Sequence, residues 1–227
     1  MARAPADEVL WAFWAVLVGF FAVWALRATV LFGVDLAIAE GVPRRLYSEA
    51  VKALVWGGSA IAYLRWVRRA PIVSSLKLTT SAPLRAWTLP LAVSALYLAG
   101  CAADVAHKHG AAAGVLLSAL GERGPLLFAS ALFSSFVEEL FFRGFVLGEL
   151  SRRARFSWAN LGTSALFVAV HLPYWLWTRG ASAVVAWDAA GVFGLSLVLG
   201  FVVYRTRSLW PAVGVHALSN ALNAALG

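Results

Sequence analysis

The chain has 227 residues, 61% of them hydrophobic and only 13% charged, with a mean hydropathy of +0.77. Soluble domains carry about 25% charged residues, so the composition excludes a soluble globular protein and describes an all-α, polytopic bundle of membrane-spanning helices. The net charge of +8 falls in short loops between apolar runs; no basic, aromatic-studded face is present, which excludes nucleic acid as a partner and marks the charge as topogenic.

A spanning helix needs about 20 mostly apolar residues, and seven stretches qualify. The first runs from Val9 to Leu31; Asp7 and Glu8 precede it and no small-residue cleavage site follows a short apolar core, so it reads as a retained anchor. Asp35 to Arg45 reads as a loop or interfacial turn closed by Gly41-Val42-Pro43. The second span runs from Glu49 to Val67, with Lys52 and Arg65 near its ends, where long side chains snorkel. Arg68 to Arg85 is a polar connector. The third span, Leu84 to Ala106, holds the sole cysteine, Cys101, which excludes an internal disulfide and a thiolate metal cluster and reads as a packing residue. His107-Lys108-His109-Gly110 opens a loop that continues to Gly124; its His-x-His pair reads as solvated. The fourth span is Pro125 to Leu150, the fifth Trp158 to Trp177, the sixth Ala183 to Tyr204 and the seventh Leu209 to Leu226.

Residues 1–227 thus form a single integral membrane domain, in which 1–123 hold spans without a motif and 124–227 hold the chemically informative ones. Eleven basic residues fall on the side of the N-terminus, in the Arg65-to-Arg85 connector, the Arg152-Arg153-Arg155 loop and the Arg205-Arg207 loop, against five on the other side. The positive-inside rule then puts the N-terminus in the cytoplasm and the C-terminus outside. Richness in Ala, Arg, Gly and Leu points to a GC-rich bacterial genome and hence to a bacterial inner membrane. Tyr174, Trp175, Trp177 and Trp210 stand at span ends, as interfacial aromatics do.

The fourth span carries Glu138, Glu139 and Arg143 inside an apolar run. A charged side chain near a bilayer centre costs roughly 2.5–3.5 kcal/mol on insertion scales. Glu139 and Arg143 are four apart and share a helix face, whereas Glu138 has no partner at helical spacing, which makes it a functional candidate. The fifth span holds His171; the seventh holds His216 and, one turn on, Asn220 and then Asn223. At about 1.5 Å rise per residue, Glu138, His171 and His216 lie about 15, 20 and 10 Å from the cytoplasmic ends of their spans. They can therefore meet in the bundle interior, where such groups satisfy one another. A carboxylate beside an imidazole holds a water and takes its proton. A second His with an Asn supplies donors toward a developing oxyanion. The set describes hydrolysis of an acyl bond, most simply a peptide bond, within the membrane.

Glu-Glu-x-x-x-Arg at Glu138, Glu139 and Arg143, Phe-x-x-x-His at Phe167 and His171, and His-x-x-x-Asn at His216 and Asn220 together resemble the CPBP (Abi-like) family of CAAX-protease and bacteriocin-processing intramembrane endopeptidases. The glycine-rich sixth span and Tyr204 to Pro211 look like the same family, and the match extends from about Pro125 to Leu226. The resemblance implies a glutamate-dependent intramembrane protease needing no cofactor. Glu138 and His171 would activate water, His216 and Asn220 would form the oxyanion hole, and Glu139 and Arg143 would support the site. It implies a protein or peptide substrate with a membrane-associated C-terminal segment.

Other chemistries fit less of this pattern. One Glu and two His could hold zinc, but His-Glu-x-x-His is absent and Asn220 and Arg143 have no part in such a site. A serine route through Ser196 with His216 as base rests on a short pattern common in glycine-rich helices. A non-catalytic scaffold or immunity protein on the same fold is the alternative outside enzymes.

Overall fold

The computed structural model describes residues 6–79, 83–109 and 124–224, and every regular element among them is helical. Helix α1 spans Ala6–Ala28 and a short α2 spans Phe32–Ala37. Helix α3 is one run over 42–67 in which two α-helical pieces alternate with two wider π turns. The connector holds α4, Ile72–Ser75, and a 3₁₀ turn, Leu84–Ala86, before α5, Thr88–His109. Helix α6 covers 124–150, with a π segment at Leu140–Val146. Then come α7, Phe156–Ala169; α8, Leu172–Arg179; α9, Ala183–Thr206; and α10, Trp210–Ala224.

Three boundaries differ from the sequence expectation. The loop predicted over Asp35 to Arg45 is largely helical, because Gly41 takes φ +88° and Pro43 sits in the first turn of α3. Proline in the first turn is a helix-start signal, and here it goes with α3 starting seven residues before Glu49. The loop expected to open at His107 is instead the last turn of α5, which continues to His109; the remainder of that loop, 110–123, lies outside the described residues, as do the side chains of Cys101, His107, His109 and Asn223. The fifth span is broken into α7 and α8. Pro173 has no N–H to offer the carbonyl of Ala169, and the chain turns tightly there, with His171 N–H donating three residues back to Val168 O at 2.9 Å.

Helix α6 is the centre of the bundle. Its Phe141, Phe142 and Phe145 interlock with Phe13 and Phe20 of α1, Trp56 and Tyr63 of α3 and Phe167 of α7, all of them buried. Ring centroids in this cluster lie 4.0 to 6.2 Å apart, mostly edge-to-face. Helix α10 packs along α6, and α9 fits between α7 and α10. Gly144 lets α6 approach the connector: a Cβ there would stand 3.0 Å from Leu76 Cδ2.

Leu10–Ala28 and Ala183–Thr206 are long and apolar enough to cross a bilayer, each with mean hydropathy 1.8, and only 17% and 28% of their apolar windows are buried inside the bundle. They turn their apolar side chains outward, as lipid-facing helices do. Among the described residues two helices meet that length and apolarity, against the seven spans expected from the sequence.

The α7–α9 contact depends on Gly200, because the side-chain amide of Asn160 occupies the place a Cβ would take, while its Nδ2 donates to Leu197 O at 3.1 Å. Gly200→Ala is expected to destabilise the bundle by about 1–3 kcal/mol through overpacking. Adding Asn160→Ala should recover part of that loss, a coupling read from thermal unfolding of the two single variants and the double in micelles.

Candidate active site

The π segment that follows Glu139 widens the turn, with Leu147 N–H donating to Phe142 O five residues back. Around it Glu138, Glu139 and Arg143 are all buried. Arg143, with a fully buried side chain, donates through Nη1 to Glu139 Oε1 at 2.8 Å and through Nη2 to Ser196 Oγ at 2.8 Å, and its guanidinium lies 4.4 Å from the centre of the Phe167 ring. Ser196 is thus a partner of Arg143.

His216 of α10 joins the two glutamates. Its Nδ1 lies 2.8 Å from Glu139 Oε1 and its Nε2 lies 3.7 Å from Glu138 Oε2. A carboxylate accepts, so Nδ1–H is the donor. Asn220, one turn along α10, donates through Nδ2 to Ser135 Oγ at 3.1 Å.

His171 sits at the α7–α8 break. Its Nδ1 lies 2.7 Å from Phe167 O. A carbonyl only accepts, so Nδ1 carries the proton and the neutral ring keeps Nε2 as an acceptor. Trp175 stacks on the ring with centroids 5.1 Å apart. Phe167 touches both imidazoles, 5.1 Å from His171 and 5.7 Å from His216. The helix break gives His171 this position: an unbroken α7 would have committed its backbone to the ladder and carried the ring round the helix.

Glu138 and His171 line one open cavity of about 560 Å³. Its walls come from the end of α1 (Trp24, Arg27), from α2 and from the start of α3 (Arg44, Ser48, Lys52, Trp56), with Tyr174 of α8 opposite. The mouth is at the end of the bundle opposite the Arg152-Arg153-Arg155 loop. Arg27 is held there by Asp35 at 2.9 Å and Arg44 by the carbonyl of Ile38 at 2.8 Å, so these cations brace the rim.

The sequence expectation of a Glu138 without a partner is corrected by two contacts. Lys52 of α3 reaches Glu138 Oε1 at 2.6 Å, and Ser134, one turn earlier on α6, donates to the same oxygen at 3.3 Å. Lys52 does not snorkel to a surface; α3 begins at Val42, so Lys52 lies three turns into the helix. The two carboxylates Glu138 and Glu139 are thereby each matched by a cation, Lys52 and Arg143, as low dielectric requires. Oε1 of Glu138 is occupied, while Oε2 is left facing His216.

Among the described residues no three His, Cys, Asp or Glu side chains are grouped as a metal ion would need. Residues 121–222 match the family model of Rce1-like, type II CAAX prenyl endopeptidases, which are membrane-embedded hydrolases acting on proteins. That family agrees with the resemblance carried by the three motifs. No curated protein and no solved structure matches the chain.

Proposed function

We propose that the chain is an intramembrane glutamic endopeptidase, seven times membrane-crossing, that hydrolyses a peptide bond near the C-terminus or in a membrane segment of a substrate protein. The observation that carries this reading is the shared cavity of Glu138 and His171, with one carboxylate oxygen and one imidazole nitrogen left open to a water.

In this reading a water between Glu138 Oε2 and His171 Nε2 attacks the scissile carbonyl carbon and gives its proton to the carboxylate. The tetrahedral intermediate then expels the amine, which takes that proton. His216 and Asn220 serve the oxyanion. Since Nδ1–H of His216 is held by Glu139, only the imidazolium can donate from Nε2. The oxyanion supplies negative charge opposite that donor as it develops. The second N–H of Asn220 is free of the Ser135 bond. Glu139 and Arg143 hold His216 and α6 in place.

The test is mass spectrometry of membrane-protein C-termini from cells carrying the intact chain or Glu138→Gln. New C-termini that need the intact carboxylate identify both the reaction and the bond; identical termini in the two samples would remove the protease reading. Cleavage that survives strong chelators separates this mechanism from a zinc hydrolase.

A further inference from the structure

A second cavity, of about 450 Å³, opens at the other end of the bundle, beside the Arg152-Arg153-Arg155 loop. Lys77 of the connector and Arg207, which follows α9, both line it, together with Arg152 and the hydroxyl-bearing Ser74 and Ser75. Both Lys77 and Arg207 adopt the left-handed region, with φ of +54° and +55°. Non-glycine residues visit that region rarely and at a cost. Here it turns two cations from separate loops toward one space. The loops are tied to each other: Leu209 N–H donates to Lys77 O at 2.9 Å and Trp210 Nε1–H to Leu78 O at 2.8 Å.

What sets this cavity apart is its uncompensated charge. The carboxylate on its wall, Glu149, is already matched by Arg68, Arg152 and Arg153 at 3.3, 3.5 and 2.9 Å. Among the described residues no carboxylate pairs with Lys77 or Arg207. Burial, and then the Arg207 guanidinium beside it, push the Lys77 ammonium down to about 8. Lys77 is half-buried and Arg207 exposed, and among the described residues no anion sits between the two cations that line this space. Phe156 and Tyr204, stacked with centroids 4.0 Å apart, form an aromatic wall at the same opening, the kind of flank found at the lipid headgroup level.

We propose that this cavity is an anion site for a phosphate group, seated on Lys77 and Arg207 with the Ser75 hydroxyl of α4 as a further donor. The position at a loop-bearing end of the bundle matches an anionic phospholipid headgroup, whose diester presents a negative charge and free phosphoryl oxygens of the kind a free phosphate also presents. The site is separate from the Glu138 cavity and does not depend on what that cavity catalyses. An occupied site would clamp the connector to the α9–α10 turn.

The test is native mass spectrometry of the full chain in detergent, titrated with dioleoylphosphatidylglycerol, with and without excess inorganic phosphate. Lys77→Asn combined with Arg207→Asn removes both charges while keeping residues that tolerate the left-handed region. The expected loss in lipid affinity is about thirty-fold for the double variant and about five-fold for either single variant, which carries the test if the double does not fold. Lys77→Arg keeps the charge and should keep the site. Displacement of lipid by inorganic phosphate supports the site with a soluble phosphate as occupant; retention of lipid supports the headgroup. Equal binding by wild type and variants overturns the proposal. So does an equal loss in Arg85→Asn, an exposed arginine of the same connector outside the cavity.

Discussion

Glu138→Gln is expected to slow peptide-bond hydrolysis by about 10²–10⁴-fold, the usual contribution of a positioned general base, with protein level unchanged. The amide keeps the shape of the carboxyl and can still accept from Lys52 and Ser134, so packing survives while proton acceptance is lost. Lys52→Met makes a sharper comparison. It keeps an apolar stem near Trp56, over whose ring the ammonium now lies at 5.4 Å, but leaves Glu138 buried beside no cation. Such an orphaned charge typically costs 3–5 kcal/mol, so Lys52→Met should lower the unfolding midpoint as well as the rate. Combining the two changes should restore stability but not turnover. Single-turnover cleavage of a fluorogenic peptide and thermal unfolding in micelles give the two readouts. Wild-type turnover in Glu138→Gln would take Glu138 out of the chemistry; a double variant no more stable than Lys52→Met would show that the ion pair is not what Lys52 provides.

Arg143→Met is expected to be the most destabilising single change in the site, by about 3–5 kcal/mol. Arg143 is fully buried, and its loss strands Glu139, frees Ser196 Oγ and empties the contact over Phe167. Adding Glu139→Gln should recover most of the loss, because an amide at that position still accepts from His216 Nδ1 while the orphaned charge is gone. Denaturant or thermal unfolding of the single variants and the double reads the coupling. Additive effects would mean that the pair contributes no more than its separate packing.

The site was readable in the sequence wherever charge broke an apolar run. Glu138, Glu139, Arg143, His171 and His216 stand out because each is costly in lipid, and Glu139 with Arg143 show their pairing in their spacing. Lys52 did not stand out, since a lysine near a predicted span end has the ordinary explanation of snorkelling. The signal that would have moved it inward was local: Gly41 and Pro43 start α3 before Glu49, which buries Lys52 at depth. The break at His171 was carried by Pro173, masked by the even hydropathy of the fifth span. Hydropathy also averages over the π turns of α3 and α6, which leave composition untouched while rotating every side chain beyond them. The number of crossings rests likewise on helical continuity and lipid exposure, which depend on neighbours that composition cannot name.

The ammonium on Glu138 comes from the front of the chain, although every motif residue lies behind residue 123. A chimera that grafted residues 124–227 onto the leading helices of a relative would carry the whole signature and still be electrically incomplete unless a lysine stood at the same height. Portability of the rear half is therefore limited by a single counter-ion that no motif search would demand.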